Sequence, residues 1–134
     1  MDYRLSSTDL KDYVKMAALA VRGLEPGVAL DLAKRLDISQ DRLSELAQIA
    51  KTTLHRRIKE HQPLAQDESE RVIRLYTVYQ KAVEVFEDEE RAARWFSSRP
   101  KALGGKTPLE FMKTEPGARY VEKLLGRIEH GVFS

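Results

Sequence analysis

The 134-residue sequence contains no cysteine, which excludes a disulfide framework and any thiolate metal site. No stretch approaches the roughly 18 consecutive apolar residues that a membrane-spanning helix requires. The opening Met1-Asp2-Tyr3-Arg4 carries charge where a secretory leader would carry its apolar core. These absences predict a cytoplasmic protein that crosses no membrane. An excess of one charge is missing as well: the formal net charge is +2, too small to imply a polyanionic partner by itself. Signatures of catalysis are also sparse. His55, His61 and His130 show no metal-ligand spacing, and no glycine-rich phosphate loop follows a strand. The expectation is a non-enzyme without metal or cofactor.

What is present is a globular balance, 42% hydrophobic and 33% charged, in which nearly every segment has helical rather than strand periodicity. The fold predicted is all-α: a helix-turn-helix domain followed by a small helical C-terminal domain. Thr8 can cap a first helix whose apolar residues Leu10, Val14, Ala17, Ala18 and Val21 recur at three- and four-residue steps, and Gly23 ends it. Pro26 suits the first turn of a second helix that turns Leu30, Ala33 and Leu36 inward. Residues 1–25 thus form an N-terminal helical element, 26–65 the helix-turn-helix region, and 66–134 the C-terminal domain. Asp67 and Glu70 form a capping-box pattern at the head of the longest helix, striped by Val72, Leu75, Tyr76, Tyr79, Val83 and Phe86. Asp88 opens a helix through Trp95 and Phe96, Thr107-Pro108 opens a short one, and Pro116 begins the last, which ends at Gly131.

Two short helices in Ser39 to Ile58, the second one basic, match a helix-turn-helix in spacing. Small Ser44 permits close approach, while Ile49 and Leu54 anchor the second helix. A wheel at about 100° per residue sets Leu54 and Ile58 on one side. Thr52, Arg56 and Lys59 fall on the other, with Thr53 and His55 at its flanks. Lys51, Thr52, Thr53, His55, Arg56, Arg57 and Lys59 are therefore the candidate DNA-binding residues. Arg56 suits a guanine edge; Arg57 and Lys59 suit phosphate. Gln48 occupies the turn position where glycine is usual, so the turn is expected to be wider or differently built.

The C-terminal third is more specific. Trp95-Phe96, Ala102-Leu103-Gly104-Gly105-Lys106-Thr107-Pro108-Leu109-Glu110, Thr114-Glu115-Pro116-Gly117-Ala118 and Leu124 through Phe133 together resemble the Xre/MbcA/ParS family of type II antitoxins. The resemblance covers about residues 26–134 and is strongest from 95 onward. It implies an operator-binding helix-turn-helix and a C-terminal domain that neutralises a RES-domain toxin acting on NAD⁺. It also implies that the C-terminal end approaches the toxin's active-site cleft, which nominates Arg127, Glu129, His130, Gly131, Val132 and Phe133 for toxin contact. Gly126, within a helix, suggests close approach of another backbone. Palindromic operator DNA calls for a homodimer, with its interface on the long helix or the N-terminal one. The alternative is a stand-alone helical repressor with no toxin, distinguished by whether a neighbouring gene encodes an NAD-active protein.

Overall fold

In a computed structural model, which describes residues 2–131, the chain is a bundle of helices with no strand among the described residues. They run α1 (Ser7–Lys11), α2 (Tyr13–Arg22), α3 (Pro26–Leu36), α4 (Gln40–Ala47), α5 (Lys51–Glu60), α6 (Gln66–Phe86), α7 (Glu89–Phe96), α8 (Pro108–Phe111) and α9 (Glu115–Glu129), with a 3₁₀ turn at Lys101–Leu103 before α8. The expected all-α architecture is what the chain adopts.

The 21-residue α6 is the axis of the molecule. It packs against α1, α2, α3 and α4 on the N-terminal side and against α7 and α9 on the C-terminal side. Its apolar stripe is therefore broader than one face. Ser69, Val72, Leu75, Tyr76, Val78, Tyr79 and Ala82 are buried, while Val83 and Phe86 are half-buried against the same core. That core is continuous from Leu5 to Leu125. The long helix thus spends within the monomer the apolar surface that suggested a dimer interface there.

Local signals at several helix ends behaved as their chemistry dictates. Ser39 accepts from the Arg42 amide at 3.0 Å, Asp88 accepts from Glu90 and Arg91, and Thr107 and Glu110 form a reciprocal capping box. Gly23 ends α2 at φ +96°, where an added Cβ would lie 2.5 Å from the Leu64 carbonyl oxygen. Two ends differ from expectation. Ser6, not Thr8, caps α1, and Asp12 then interrupts the helix and caps α2. The break rotates α2 so that Met16 and Ala20 face the core, while Val14, Ala17, Ala18 and Val21, expected inside, are exposed. At α6 the cap comes from Glu68, whose carboxylate accepts from the Ala65 amide at 2.8 Å; Asp67 instead pairs with Arg71. In α3, Val28, Ala29 and Leu32 join Ala33 and Leu36 inside, and Leu30 is only half-buried.

Gly126 corrects another expectation, because no group lies within 4 Å of where its Cβ would stand. Close backbone approach occurs at Gly117, where a Cβ would lie 1.9 Å from the Phe111 carbonyl oxygen. The two glycines should therefore respond oppositely to alanine. Gly117→Ala should lower unfolding free energy by about 1–3 kcal/mol through overpacking. Gly126→Ala should raise it by about 0.5–1 kcal/mol by restricting the unfolded chain. Chemical denaturation of the two variants, with the same sign of change in both, would contradict this assignment.

Candidate nucleic-acid interface and partner-binding helix end

The α4–α5 pair is built on a short apolar anchor. Leu43, Ser44, Leu46 and Ala47 of α4, Ile49 of the turn and Leu54 of α5 are all buried. Ser44 donates to the Asp41 carbonyl at 2.9 Å, so its hydroxyl is satisfied within its own helix. With α5 pinned through Leu54, the opposite side must face solvent. Lys51, Thr52, His55, Arg56 and Lys59 are exposed there, and Thr53 is half-buried at the edge. No side chain caps the α5 N-terminus and its first turn has no acidic residue. The positive end of the helix dipole is therefore open beside Lys51, an arrangement that attracts phosphate.

Arg57 stands apart from this face. Its Nε lies 3.1 Å from Glu68 and its Nη1 donates to the Pro63 carbonyl at 3.1 Å. It thereby ties the end of α5 to the start of α6. At about 100° per residue Arg57 falls on the side of Leu54 and Ile58, whereas the sequence reading grouped it with Lys59 by charge.

The turn itself is tight, not widened. Gln48 adopts the left-handed conformation at φ 55°, ψ 43°, a state that costs a non-glycine residue energy. Three contacts hold it there. The Arg71 guanidinium donates through Nε to the Ala47 carbonyl at 2.6 Å and through Nη2 to the Gln48 carbonyl at 3.2 Å. The Gln48 side chain donates to the Lys113 carbonyl at 3.2 Å. Around this clamp, Lys113 pairs with Glu45 at 2.9 Å and Glu45 with Arg42 at 2.8 Å. The Lys113 ammonium, through its hydrogen bond and its charge, holds the Glu45 carboxyl below the usual carboxylate range. Arg74 donates to the same Lys113 carbonyl at 3.4 Å. Sequence reasoning missed this clamp because its partners, the Arg42–Glu45 pair apart, lie 23 to 68 positions from one another.

At the other end, Val121, Leu124 and Leu125 seat α9 on the core. Arg127, Glu129, His130 and Gly131 are exposed, and Gly131 leaves the helix at φ +76°. Glu129 pairs with Lys81 of α6 at 3.0 Å, which lowers its pKa, whereas Arg127 has no ion-pair partner among the described residues. Val132 and Phe133, also expected to reach a toxin, lie outside the described residues. A cleft of about 990 Å³ between α3 and α7 is lined by Asp31, Arg35, Tyr79, Glu89 and Arg94, among others. Two of its carboxylates are occupied: Asp31 and Glu89 both pair with Arg35.

Geometry thus defines a class, a helix-turn-helix protein whose reading unit shares a long helix with a second helical unit. Comparison with known proteins gives the family. Residues 15–75 match the Antitoxin Xre-like helix-turn-helix domain, and residues 81–131 match the Antitoxin Xre/MbcA/ParS C-terminal toxin-binding domain. The chain belongs to the Xre/MbcA/ParS antitoxins. It is 45% identical over 69 residues to an Antitoxin Xre of Yersinia enterocolitica, covering 51% of this chain and 47% of that protein. It is 37% identical over 79 residues to an Antitoxin Xre of Pseudomonas putida, covering 59% and 50%. A Prs ADP-ribosylating antitoxin of Sphingobium sp. is 27% identical over 124 residues, covering 83% and 78%. The chain spans about half the length of the Xre relatives it matches.

The clamp has a direct consequence. Arg71→Ala removes donors from two turn carbonyls, one of which belongs to buried Ala47, and should lower stability by about 1–3 kcal/mol. Gln48→Gly should recover part of that loss in the same background, since glycine adopts the turn conformation without support. A double-mutant cycle by urea denaturation measures this, and additive effects would show that the two residues act independently.

Proposed function

We propose that this chain is an antitoxin that neutralises a RES-domain toxin acting on NAD⁺ and binds operator double-stranded DNA to restrain transcription of its own operon. It works as a cytoplasmic homodimer and catalyses no reaction itself. The observation that carries this reading is the fusion, through α6, of an outward basic helix to a unit that matches a toxin-binding domain.

On the DNA side, Thr52 and Arg56 are the base-reading candidates, while Lys51, Thr53, His55 and Lys59 flank them toward the phosphates. Arg56 can pair bidentately with guanine, as geometry allows in the major groove. Lys59 contributes a point charge whose effect is independent of sequence. Arg57, paired to Glu68, is assigned to the fold and not to the groove. On the toxin side, Arg127, Glu129, His130 and Gly131 form the exposed end of α9, and Val132 and Phe133, next in the sequence, are assigned to the same contact. An aromatic with few rotatable bonds is a suitable anchor for a partner's pocket. That a relative carries the name Prs ADP-ribosylating antitoxin supports a toxin whose chemistry consumes NAD⁺.

The two faces are separable by mutation. Arg56→Ala should weaken operator binding by about 1–3 kcal/mol at fixed salt, read by gel shift. Lys59→Ala should weaken binding to all sequences and reduce the salt slope by about one. An unchanged affinity for the Arg56 variant removes that residue from the site. Deleting Gly131 to Ser134 should leave operator binding intact and abolish neutralisation. Growth of cells producing the toxin from the neighbouring gene is the readout, and rescue by the truncated chain refutes the role of this segment.

A further inference from the structure

The connection from α7 to α8 and the outer side of α9 carry positive charge that the fold leaves largely unpaired. From Arg91 to Leu109 the sequence has five basic residues and no acidic one. Arg99, Lys101 and Lys106 of this stretch are exposed. Arg99 donates to the Gly105 carbonyl, while Lys101 and Lys106 have no ion-pair partner among the described residues. On α9, a wheel at about 100° per residue gathers exposed Arg119, Lys123 and Arg127 within about 80°. This stripe lies nearly opposite buried Val121, Leu124 and Leu125. Glu115, Glu122 and Glu129 take a separate arc, on the side from which Glu129 reaches Lys81 of α6. Arg119 pairs with Glu115 at 3.0 Å, but Lys123 and Arg127 have no ion-pair partner among the described residues. Like charges at this four-residue spacing repel one another, and a partner carboxylate between them would relieve that cost. Tyr120, next to the stripe on the wheel, donates to the Ala102 carbonyl at 3.3 Å. That bond sets Lys101 alongside α9 and joins the two basic groups into one face.

We propose that this face docks an acidic surface of the toxin, capturing it by charge before the end of α9 makes its contact. The inference rests on the toxin reading above and supplies the chemistry of the partner's surface. Three observations favour a protein over DNA. The face lies within residues 81–131, which match the toxin-binding domain. Its stripe runs to Arg127, already assigned to the toxin contact. The acidic arc on the neighbouring side of α9 would repel a polyanion as long as a duplex, whereas a protein patch of limited size can meet the cations alone. Exposed complementary charges of this kind act chiefly on the rate of encounter.

Lys101→Gln, Lys106→Gln and Lys123→Gln, combined in the full chain, should slow association with the toxin encoded by the neighbouring gene by about tenfold at low salt. Surface plasmon resonance reads this, and the wild-type rate should fall toward that of the variant as salt screens the face. The dissociation rate, set by close contacts at the end of α9, should change far less. Arginine at the same three positions should keep the wild-type rate, because charge and not side-chain shape is what acts. All three lysines are exposed, so the far-ultraviolet helical signal should match wild type in both variants. An unchanged association rate with unchanged salt dependence overturns the docking face and leaves the toxin reading standing. A smaller salt slope for operator binding, with or without slower association, assigns the face to DNA and overturns the proposal. A wild-type chain that captures no toxin overturns the toxin reading and this inference with it.

Discussion

The burial of α6 on both sides is the constraint on which the rest of this structure depends. A helix covered on one face needs a stripe three or four positions wide in every two turns. Here α6 is covered by the N-terminal helices and by α7 and α9, so Tyr76, Tyr79, Val78 and Ala82 all become interior. The aromatic pair Tyr76 and Tyr79 meets edge to face at 6.1 Å, and Tyr79 stacks on Phe96 at 6.3 Å. One row of rings therefore runs along α6 and onto α7. Removing the C-terminal helices would strip one side of α6 and expose that row, so the two halves share their stability as well as their covalent chain.

Cationic side chains of α5 and α6 fall into two groups, and burial separates them. Arg57 and Arg71 are mostly covered and spend their donors on carbonyls and carboxylates of the fold. Lys51, Arg56 and Lys59 are exposed and lie outside any such network. A partly covered guanidinium that satisfies backbone carbonyls stabilises by replacing lost hydration, and moving it to DNA would leave those carbonyls unpaired. An exposed cation loses nothing comparable when it meets a phosphate and gains from counterion release. The local balance of charge in α5 is thus less informative than the accessibility of each member.

Much of this was legible in the sequence, and the exceptions share a cause. Helix existence, the caps at Ser39, Asp88 and Thr107, and the anchors Leu43, Ile49 and Leu54 follow from signals confined to a few neighbouring residues. The outward positions of Lys51, Thr52, His55, Arg56 and Lys59 follow from periodicity once Leu54 is known to be inside. Val14 and Val21 were misplaced because an apolar period records which residues share a face, not whether the protein covers it. Gly126 and Gly117 show the same limit: each is a helical glycine, and only the position of Phe111 in space tells which one is crowded. The Gln48 turn was misjudged because its support, Arg71 and the Lys113 carbonyl, comes from elements brought near only by folding.

That turn also ties the helix-turn-helix to the C-terminal helices. Lys113 sits between α8 and α9, its carbonyl accepts from Gln48 and Arg74, and its ammonium pairs with Glu45 of α4. Arg74 reaches in turn toward Glu115 of α9 at 3.7 Å. A displacement of the start of α9 would therefore pull on the turn that aims α5, without any change in the core beneath it. The left-handed state of Gln48 costs a non-glycine residue energy, and these contacts offset that cost. The same residue that departs from the expected glycine thus makes the aim of α5 depend on the seating of the C-terminal helices. Glycine there would hold the turn alone and sever that dependence.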